Sequence, residues 1–543
     1  MTVSLARLIR TITPLKPVQI YGRLAAHLPK RPIARRLAPP LRVFPAGWTT
    51  PIAAEPSLIG PAEVRLLNQF ARLDGPGAWN DPTRSKLWLY NLHYFNGLGA
   101  PVNPERVVWR QALTLRWIAE NPPGEGVGWE PFPTALRIVN WIKWALAGEA
   151  TTSLWRDSLA TQADWLEGSI EWRLLGNHLL ANAKALIFAG LYFSGPDADR
   201  RLAKGLRLHQ KQLTEQILDD GGHFERSPMY HALALEDLLD LINLAQASSA
   251  IDQARIDEWA GIADRMADWL ASMAHPDGQI SFFNDAAFAV AAAPSDLFAY
   301  AQRLGLRAPS TPTAGAVWLK TSGYVRLAQG DAVALIDAAP IGPDHQPGHA
   351  HADTLSFELS VGRERIIVNG GTSVYGDGPD RQAERSTAAH STVVIDGCDS
   401  SEVWAGFRVG RRARVSEVRV ADHDGVVEAS AAHDGYIWRP GRPVHRRRWR
   451  LQSRRLSIAD AIEGEAETAV AHFHLGPGVQ GRADPEGQGG ELIAPSGRRL
   501  RWRCSRPARV AASLWRPEFG LRLDARRLIV PMSGPTLLTI FSW

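Results

Sequence analysis

Apolar residues recur at helical spacing over roughly residues 107–304 of the chain. The pattern is seen in segments such as VVWRQALTLRWI, ALRIVNWIKWAL, NHLLANAKALIFAGLYF and YHALALEDLLDLINLA, where apolar positions return every three or four residues. Turn signals such as NPPGEGVG, SGPDAD and HPDG separate these segments. The pattern predicts about seven or eight consecutive helices, packed as a bundle, a solenoid or a toroid. No fixed-period repeat is evident, which disfavours simple solenoids.

Beyond Pro309–Val317 the pattern changes to short alternating or β-branched runs, among them TLSFELSV, ERIIVN, STVVIDG and RRWRLQ. About ten or more such runs without helices predict an antiparallel β-sandwich or super-sandwich. We therefore expect a helical domain over residues 101–310 and a β-domain over residues 311–543. Residues 1–100 are rich in proline and irregular, with short helical pieces, and we expect them to pack on the helical domain as an extension.

Composition restricts the class of protein more than its function. The chain has 543 residues, of which 45% are hydrophobic and 22% charged, as expected for a folded protein with at least two domains. Its net charge of +5 permits an anionic partner without demanding one. Two cysteines exclude a disulfide framework. The basic residues are scattered and no nucleic-acid-binding signature is present, so we expect no nucleic-acid partner.

No apolar run approaches the roughly 18 residues of a membrane span, so we expect no membrane-spanning segment. The segment from Met1 is basic but interrupted by arginines and Pro17, and it lacks the apolar region of a secretory signal peptide. We therefore expect no such signal in this sequence.

Polar residues cluster at two places in the helical region. GNHLLANAKAL carries Asn177 and His178 at the start of an amphipathic helix, where asparagine also serves as an ordinary helix cap. DDGGHFERSPMYH carries His223, Glu225 and Tyr230 within a few positions. A loop that merely joins two helices has little use for so many titratable groups, and the density favours a catalytic role.

A third cluster lies in the β-region, in QPGHAHADTLSFEL. His349, His351 and Asp353 alternate just before or within a predicted strand, where a period of two would place their side chains on one face. Such a pair of histidines suits a metal or a substrate. His390, in RSTAAHSTVVIDG, again precedes a β-branched run. Three histidines at loop–strand edges of one domain favour function over structure.

These four motifs, two in each predicted domain, resemble those of the heparinase II/III-like polysaccharide lyases, over roughly residues 85–480. The resemblance implies an incomplete α/α toroid followed by an antiparallel β-sandwich, with the active site in the cleft between them. It also implies β-elimination of a polysaccharide that contains uronic acid. A periplasmic or envelope location is implied as well, although the missing signal peptide makes the cytoplasm the alternative.

The resemblance also assigns roles to residues. Asn177 matches the asparagine that neutralises the uronate carboxylate, and His178 is its neighbour. Tyr230 matches the tyrosine that acts as acid, and with some substrates also as base. His349 matches the histidine that faces it across the cleft. With these groups the chemistry requires no cofactor.

A structural zinc ion is left open by the same resemblance. His351, Asn369 and His390 fall on the positions that hold the metal in zinc-containing relatives. Those relatives commonly have aspartate where this chain has Asn369, and a neutral amide oxygen is a weaker ligand than a carboxylate.

Basic and aromatic side chains near these motifs are candidates for holding an acidic polysaccharide, since arginine binds carboxylate or sulfate with two hydrogen bonds and aromatic rings stack on sugars. The candidates are Arg226, Trp129, Arg385 and Arg408.

Two other functions compete with the lyase. A glycoside hydrolase on a similar toroid would use a carboxylic acid pair, for which Asp219, Asp220 and Glu225 are the candidates. A non-catalytic protein would bind acidic glycans or assist the assembly of an envelope polysaccharide. The identity of the polymer and the oligomeric state stay open.

Overall fold

The computed structural model describes residues 4–25, 33–101, 104–310 and 314–543. Its first elements are two short helices, α1 (Leu5–Ile12) and α2 (Pro17–Ala25). Further elements before the helical domain are a small antiparallel sheet and a helix: β1 (Leu58–Gly60), β2 (Glu63–Leu66), β3 (Gln69–Arg72) and α3 (Lys86–Tyr94). The sheet was not predicted, because strands of three or four residues are too short to show an alternating pattern.

Eight α-helices follow in the described part of residues 104–303, in agreement with the predicted number. They are α4 (Pro104–Glu120), α5 (Pro131–Leu146), α6 (Ser153–Gly168), α7 (Gly176–Tyr192), α8 (Pro196–Gln216), α9 (Pro228–Ala247), α10 (Gln253–Met273) and α11 (Pro294–Arg303). Proline stands in the first turn of α5, α8, α9 and α11, where its fixed φ suits a helix start and its missing N–H costs nothing. Helix α7 packs against α5, α8 and α9 and is buried over most of its length.

The β-domain begins at Gly315, and its two large sheets are antiparallel. The nine-stranded sheet contains β4 (Gly315–Leu319), β5 (Tyr324–Gln329), β6 (Ala332–Asp337), β7 (Phe357–Val361), β8 (Glu364–Val368), β9 (Val393–Ile395), β16 (Ala469–Leu475), β20 (Arg509–Glu518) and β21 (Leu521–Pro531). Between β8 and β9 lies helix α12 (Pro379–Arg385), and after β9 the pair β10 (Val403–Trp404) and β11 (Arg408–Val409) forms a small ribbon.

The eight-stranded sheet packs on the nine-stranded one. It contains β12 (Val415–His423), β13 (Val426–His433), β14 (Val444–Gln452), β15 (Arg455–Glu463), β17 (Gln480–Ala483), β18 (Gly489–Ile493), β19 (Arg499–Cys504) and β22 (Thr536–Ser542). Residues such as Phe357 from one sheet and Trp449 from the other share one buried apolar core. The domain is therefore a sandwich, as the alternating pattern predicted.

The basic run on β14 alternates between the two faces of its strand. Arg447 is buried and paired with Asp460, whereas Arg446 and Arg448 face outward. That run is therefore part core and part solvated surface, not a continuous cationic strip.

The helical domain and the β-domain are joined by backbone hydrogen bonds at one loop. The N–H of Asp285, between α10 and α11, donates to the carbonyl of His349 at 2.9 Å. The N–H of Asn284 donates to the carboxylate of Asp353 at 2.8 Å. These bonds hold the histidine-rich loop of the β-domain against the helical domain. In the described ranges no helix has the length and apolar character needed to cross a bilayer.

Candidate active site

Tyr230 lies in the first turn of α9, and the start of that helix is tightly fixed. The side chain of Ser227 caps the helix by accepting a hydrogen bond from the Tyr230 N–H at 3.2 Å, and Pro228 occupies the first helical position. Arg226, the residue before the capping Ser227, has a left-handed backbone (φ 59°). Its carbonyl accepts from the Tyr324 hydroxyl at 2.6 Å. The turn therefore sets the direction of the tyrosine side chain.

The rings of Tyr230 and His349 stack directly on each other, with centroids 3.9 Å apart and planes 17° from parallel. One ring belongs to the helical domain and the other to the β-domain, so the two sequence motifs do meet. The expectation that they face each other from opposite walls is wrong, because no sugar fits between rings in contact. The two rings therefore form one stacked pair and not the two sides of a cleft.

The Tyr230 hydroxyl is held in its neutral form by its surroundings. Burial raises the pKa of Tyr230 well above its ordinary value, and the nearby carboxylate of Asp285 raises it further. The hydroxyl is hydrogen-bonded to that of Tyr375 at 2.9 Å. A phenol in this setting keeps its proton at neutral pH and is able to donate it.

Glu225 fixes the orientation of the His349 ring. Its buried carboxylate is hydrogen-bonded to Nδ1 of His349. Burial acts to raise the pKa of Glu225, but the neighbouring imidazole outweighs it and the net pKa is lowered. With Glu225 ionised, a neutral His349 ring carries its proton on Nδ1 and leaves a lone pair on Nε2.

The start of α7 lies against this Glu–His pair. A Cβ added to Gly176 would stand only 3.0 Å from Oε1 of Glu225, so a side chain here would press on the glutamate. Leu175 and Gly176 both have positive φ (61° and 54°). For leucine this conformation is strained, and such strain clusters at functional sites. The helix N-terminus thus brings its positive end towards the carboxylate.

Asn177 is the second residue of α7, and it does not cap the helix, since the N-cap is Leu175. Its Oδ1 is buried and has no hydrogen-bond partner within the described ranges. An unsatisfied buried amide is unusual and calls for a ligand or a water molecule. His178 follows it, packs on the Phe132 ring with centroids 4.3 Å apart, and has Nδ1 3.2 Å from a carboxylate oxygen of Glu171.

The two histidines of the HxH motif do not share a face. Residues 349–356 form an irregular loop, and β7 begins only at Phe357. His349 turns towards Glu225 and Tyr230, whereas His351 turns towards Asp285 and His390. The period-two expectation is therefore wrong, because it applies only to residues inside a strand.

Asp285 organises the buried surroundings of His351. Its carboxylate binds the guanidinium of Arg381 through both oxygens, one at 2.7 Å, and Nε2 of His351 at 2.8 Å. Burial acts to raise the pKa of Asp285, but Arg381 outweighs it and holds that pKa far below the ordinary value. Burial lowers the pKa of His351 to about 4.

Replacing Asp285 with Asn is expected to lower the free energy of unfolding by about 3–5 kcal/mol, because it leaves the buried Arg381 charge without its partner. Because the pKa of Asp285 is lower in the folded state than in the unfolded state, its contribution to stability is present above the unfolded pKa and is lost only as pH falls through the folded pKa. The loss of stability in Asp285→Asn should therefore persist across neutral pH. Urea unfolding measures it. The control is Asp380→Asn, which breaks the exposed pair with Arg522 and should cost less than about 1 kcal/mol. Equal effects of the two variants would contradict this account.

The residues at the expected metal positions do not complete a zinc site. Nδ1 of His351 and Nε2 of His390 face each other at 3.1 Å, and each ring is oriented through its other nitrogen. The Asn369 oxygen, however, already accepts from the N–H of Ser391 at 3.0 Å. Within the described ranges no three His, Cys, Asp or Glu residues are grouped to hold a metal ion, and a two-imidazole set lacks the third protein ligand that zinc requires.

Three of the four proposed substrate-binding residues are buried and already bonded, so those interpretations are wrong. Trp129 is 3% exposed, and its indole N–H donates to the carbonyl of Asn121. The Arg226 guanidinium donates to backbone carbonyls, including that of Ser322. Arg385 is fully buried and donates to three carbonyls.

Arg408 is the member of that set that solvent reaches. It is exposed, and its guanidinium lies 4.9 Å from the centre of the Trp404 ring. Phe407 beside it is 40% exposed and its ring packs against Tyr375. This edge of the β-domain therefore offers both a cation and an aromatic face next to the site.

The carboxylates considered for a hydrolase do not form a pair. Asp220 accepts hydrogen bonds from the backbone N–H and hydroxyl of Ser322, and Asp219 is exposed. Glu225 is occupied by His349. This arrangement does not support acid–base hydrolysis by two carboxylic acids.

Sequence reasoning missed Tyr375 and Asp285, and it gave Glu225 no role beside His349. Tyr375 lies just after the histidine motif, but a single tyrosine after a strand carries no pattern. Asp285 lies in FFNDAAF, where an aspartate in a connecting loop looks like an ordinary turn residue. Only the packing of the two domains brings these groups to the site.

Two family models match the chain. The heparinase II/III N-terminus matches residues 145–302, and the heparinase II/III-like C-terminal model matches residues 311–543. Among curated proteins, a heparin-sulfate lyase of Pedobacter heparinus is 24% identical over 343 residues, which is 59% of this chain and 49% of that protein. FtsZ-localized protein C of Caulobacter vibrioides is 26% identical over 442 residues, 76% of this chain and 72% of that protein. This chain thus spans about half the length of the Pedobacter lyase.

The fold is similar to solved structures. A crystal structure of heparinase III has a TM-score of 0.69 at 17% identity, covering 86% of this chain and 79% of that chain. A mutant of heparan sulfate lyase HepC from Pedobacter heparinus has a TM-score of 0.61 at 16% identity, covering 97% and 87%. The likeness confirms the predicted fold class, an incomplete α/α toroid followed by an antiparallel β-sandwich.

Proposed function

The chain belongs to the heparinase II/III-like family, and we propose that it is a polysaccharide lyase that cleaves a uronic-acid-containing polymer by β-elimination. One observation carries this proposal. A neutral buried tyrosine and a histidine oriented by a glutamate stack at the domain boundary, where the sequence motifs of both domains converge.

The base in this scheme is Nε2 of His349. Abstraction of the C5 proton needs a lone pair within reach of the sugar. The hydrogen bond from Nδ1–H to Glu225 directs that lone pair to Nε2, and the ionised glutamate stabilises the imidazolium that forms.

The acid is the Tyr230 hydroxyl, which donates its proton to the glycosidic oxygen leaving from C4. Its raised pKa keeps it protonated before the reaction. The Tyr375 hydroxyl at 2.9 Å supports the phenolate that remains, and the proton collected by His349 restores the tyrosine through solvent.

Asn177 neutralises the uronate carboxylate. Loss of the C5 proton builds negative charge on that group, and a fixed amide donor near a helix N-terminus stabilises it without reorganising. The place of Asn177 in the first turn of α7 supports this role, and the group that donates to the carboxylate is its amide NH₂, since Oδ1 only accepts. His178 beside it, held near Glu171, is a second donor to the same group.

The contact between the two rings favours syn elimination. In this scheme both polar edges meet the sugar from one side, so the proton and the leaving oxygen must lie on the same face of the ring. D-Glucuronate and D-mannuronate have H5 and O4 on one face, whereas L-iduronate has them on opposite faces. We therefore expect cleavage next to D-glucuronate or D-mannuronate and little next to L-iduronate.

A panel of uronic-acid polymers tests the proposal, with formation of the ultraviolet-absorbing C4=C5 bond as the readout. The panel pairs polymers of D-glucuronate with an L-iduronate-rich polymer and includes alginate. Product from a D-glucuronate or D-mannuronate polymer is the expected result. Saturated new reducing ends would indicate hydrolysis and overturn the elimination mechanism.

A second candidate function is binding of acidic glycans, or envelope-polysaccharide assembly, without turnover. The relative named FtsZ-localized protein C favours it, since that name gives a location instead of a reaction and its match covers 76% of this chain. Binding to the same polymers with no absorbing product would establish this function in place of the lyase.

For the metal positions we infer that the natural chain binds zinc weakly, because Asn369 supplies an engaged amide. Asn369→Asp is expected to raise zinc affinity by about tenfold or more, since it adds the missing charged ligand. The thermal midpoint of Asn369→Asp should rise with added zinc, because the new buried carboxylate lowers stability until a metal ion pairs with it. Metal analysis after dialysis measures the gain, and Asn369→Asp/His390→Ala is the control. Equal zinc content in the natural chain and in Asn369→Asp would contradict the inference.

A further inference from the structure

The surface formed by α1 and α2 has its apolar residues outward. Leu5, Leu8, Ile9 and Ile12 of α1 are 72%, 38%, 55% and 42% exposed. These positions fall within one third of the circumference of a helix with 3.6 residues per turn. No residue of α1 is buried, so the helix adds nothing to the protein core.

The polar face of α1 is the one that contacts the protein. Arg7 and Arg10 bind the carboxylate of Glu402 in the β-domain, at 3.0 and 2.9 Å. The Thr11 hydroxyl accepts a hydrogen bond from the indole N–H of Trp404 at 3.2 Å. A helix on a soluble surface normally packs by its apolar face, and here the arrangement is reversed.

Helix α2 repeats the reversal. Gln19 is 4% exposed and donates to the carbonyl of His345 at 3.0 Å, and Gly22 lies against the Arg173 backbone. On the other face Ile20, Tyr21 and Leu24 are 43%, 68% and 67% exposed. Two consecutive helices therefore present most of their apolar residues to the outside. Ion pairs and hydrogen bonds hold their polar sides, and Val18 is the residue of α2 that packs on a small apolar cluster of the helical domain.

The exposed apolar side chains of the protein are concentrated in these two helices. Of the twenty large hydrophobic side chains that are exposed among the described residues, seven lie in residues 5–24. Exposed apolar side chains concentrated in this way mark an interaction site.

The net charge of residues 1–54 indicates which kind of partner binds the exposed apolar faces of α1 and α2. Residues 1–54 contain nine Lys or Arg and no Asp or Glu, although the whole chain carries only +5. The other residues are thus net acidic, and the excess of cations lies in the stretch of sequence that carries the two apolar helices. Arg23 of α2 is exposed beside Leu24. Basic residues flanking an apolar helical face complement an anionic lipid surface.

We propose that α1 and α2 bind the protein to the surface of an anionic membrane, with Leu5, Leu8, Ile9, Ile12, Ile20, Tyr21 and Leu24 entering the lipid interface. Each helix has eight or nine residues, so it lies in the plane of the interface and does not cross it. The proposal stands apart from the lyase chemistry, because none of these residues belongs to the candidate active site.

Flotation of the full chain with lipid vesicles tests it. The natural chain is expected to float with vesicles of phosphatidylcholine and phosphatidylglycerol, less with phosphatidylcholine alone, and less at high salt because exposed charges are screened. Leu8→Ser/Ile9→Ser should lower partitioning by at least about tenfold, since each side chain loses its transfer to lipid. Arg23→Ala should weaken binding to the anionic vesicles only.

The matched control is Val108→Ser/Leu154→Ser, which removes two side chains that are 63% and 53% exposed elsewhere on the helical domain and should leave flotation unchanged. Unchanged thermal midpoints show that both variants are folded. The proposal is overturned if the natural chain does not float, or if Leu8→Ser/Ile9→Ser floats equally well. A concentration-dependent dimer that this variant abolishes, without flotation, would assign the surface to a second copy of the chain.

Discussion

Tyr230→Phe is expected to lower kcat for formation of the unsaturated product by about 10²- to 10⁴-fold, the contribution of a positioned general acid. The change removes one hydroxyl and keeps the ring that stacks on His349 at 3.9 Å. Since the lost group donates the proton to the leaving oxygen, KM should change much less than kcat. Absorbance of the product on the best polymer of the panel measures the effect.

Tyr375→Phe is the control for this variant. It removes the partner hydroxyl 2.9 Å away but not the acid itself, so its effect should be smaller, about ten- to a hundredfold, the value of one hydrogen bond to a developing phenolate. If Tyr230→Phe keeps the activity of the natural chain, or if the two variants lose activity equally, Tyr230 is not the acid.

Glu225→Gln is expected to lower kcat on the order of 10³-fold. The carboxylate accepts a hydrogen bond from the Nδ1–H of His349, and a glutamine can present its NH₂ group there instead. That donor favours the tautomer with the proton on Nε2, which removes the lone pair from the edge that faces the sugar. The imidazolium formed in the reaction also loses its counter-charge.

The chain offers a matched control in Glu358, a second buried glutamate that binds a histidine. Its carboxylate, on β7, lies 2.8 Å from Nε2 of His275, which follows α10 in the helical domain, and both residues are buried. Glu358→Gln should lower stability but leave kcat per folded molecule unchanged. A normal kcat in Glu225→Gln, with the fold verified by circular dichroism, would remove Glu225 from the mechanism.

Much of the fold follows from local patterns in the sequence. The helical period over residues 107–304 corresponds to the helices that end at Arg303, and the alternation beyond it corresponds to strands that start at Gly315. These patterns are informative because a helix or strand must bury one face, whatever its partners are. The short strands of residues 58–72 escaped the prediction for want of length.

The candidate site was predictable only in part. The sequence motifs predicted Asn177, Tyr230 and His349 as site residues, and the structure brings these three residues to one domain boundary. The roles of Trp129 and Arg385 were wrong because a sequence does not show whether a tryptophan or an arginine points into a core. Polar residue types mark candidates, but burial decides which of them a substrate can reach.

By itself, then, the sequence determined the two kinds of domain, their order and the four motifs, because hydrophobic periodicity and local residue density are properties of short segments. The tertiary structure alone decided that Glu225 orients His349, that Tyr375 and Asp285 surround Tyr230, and that the Tyr230 and His349 rings touch. The Glu225–His349 and Tyr230–Tyr375 contacts join residues more than a hundred positions apart and on different domains, and their geometry depends on how the two domains pack, which no local pattern encodes.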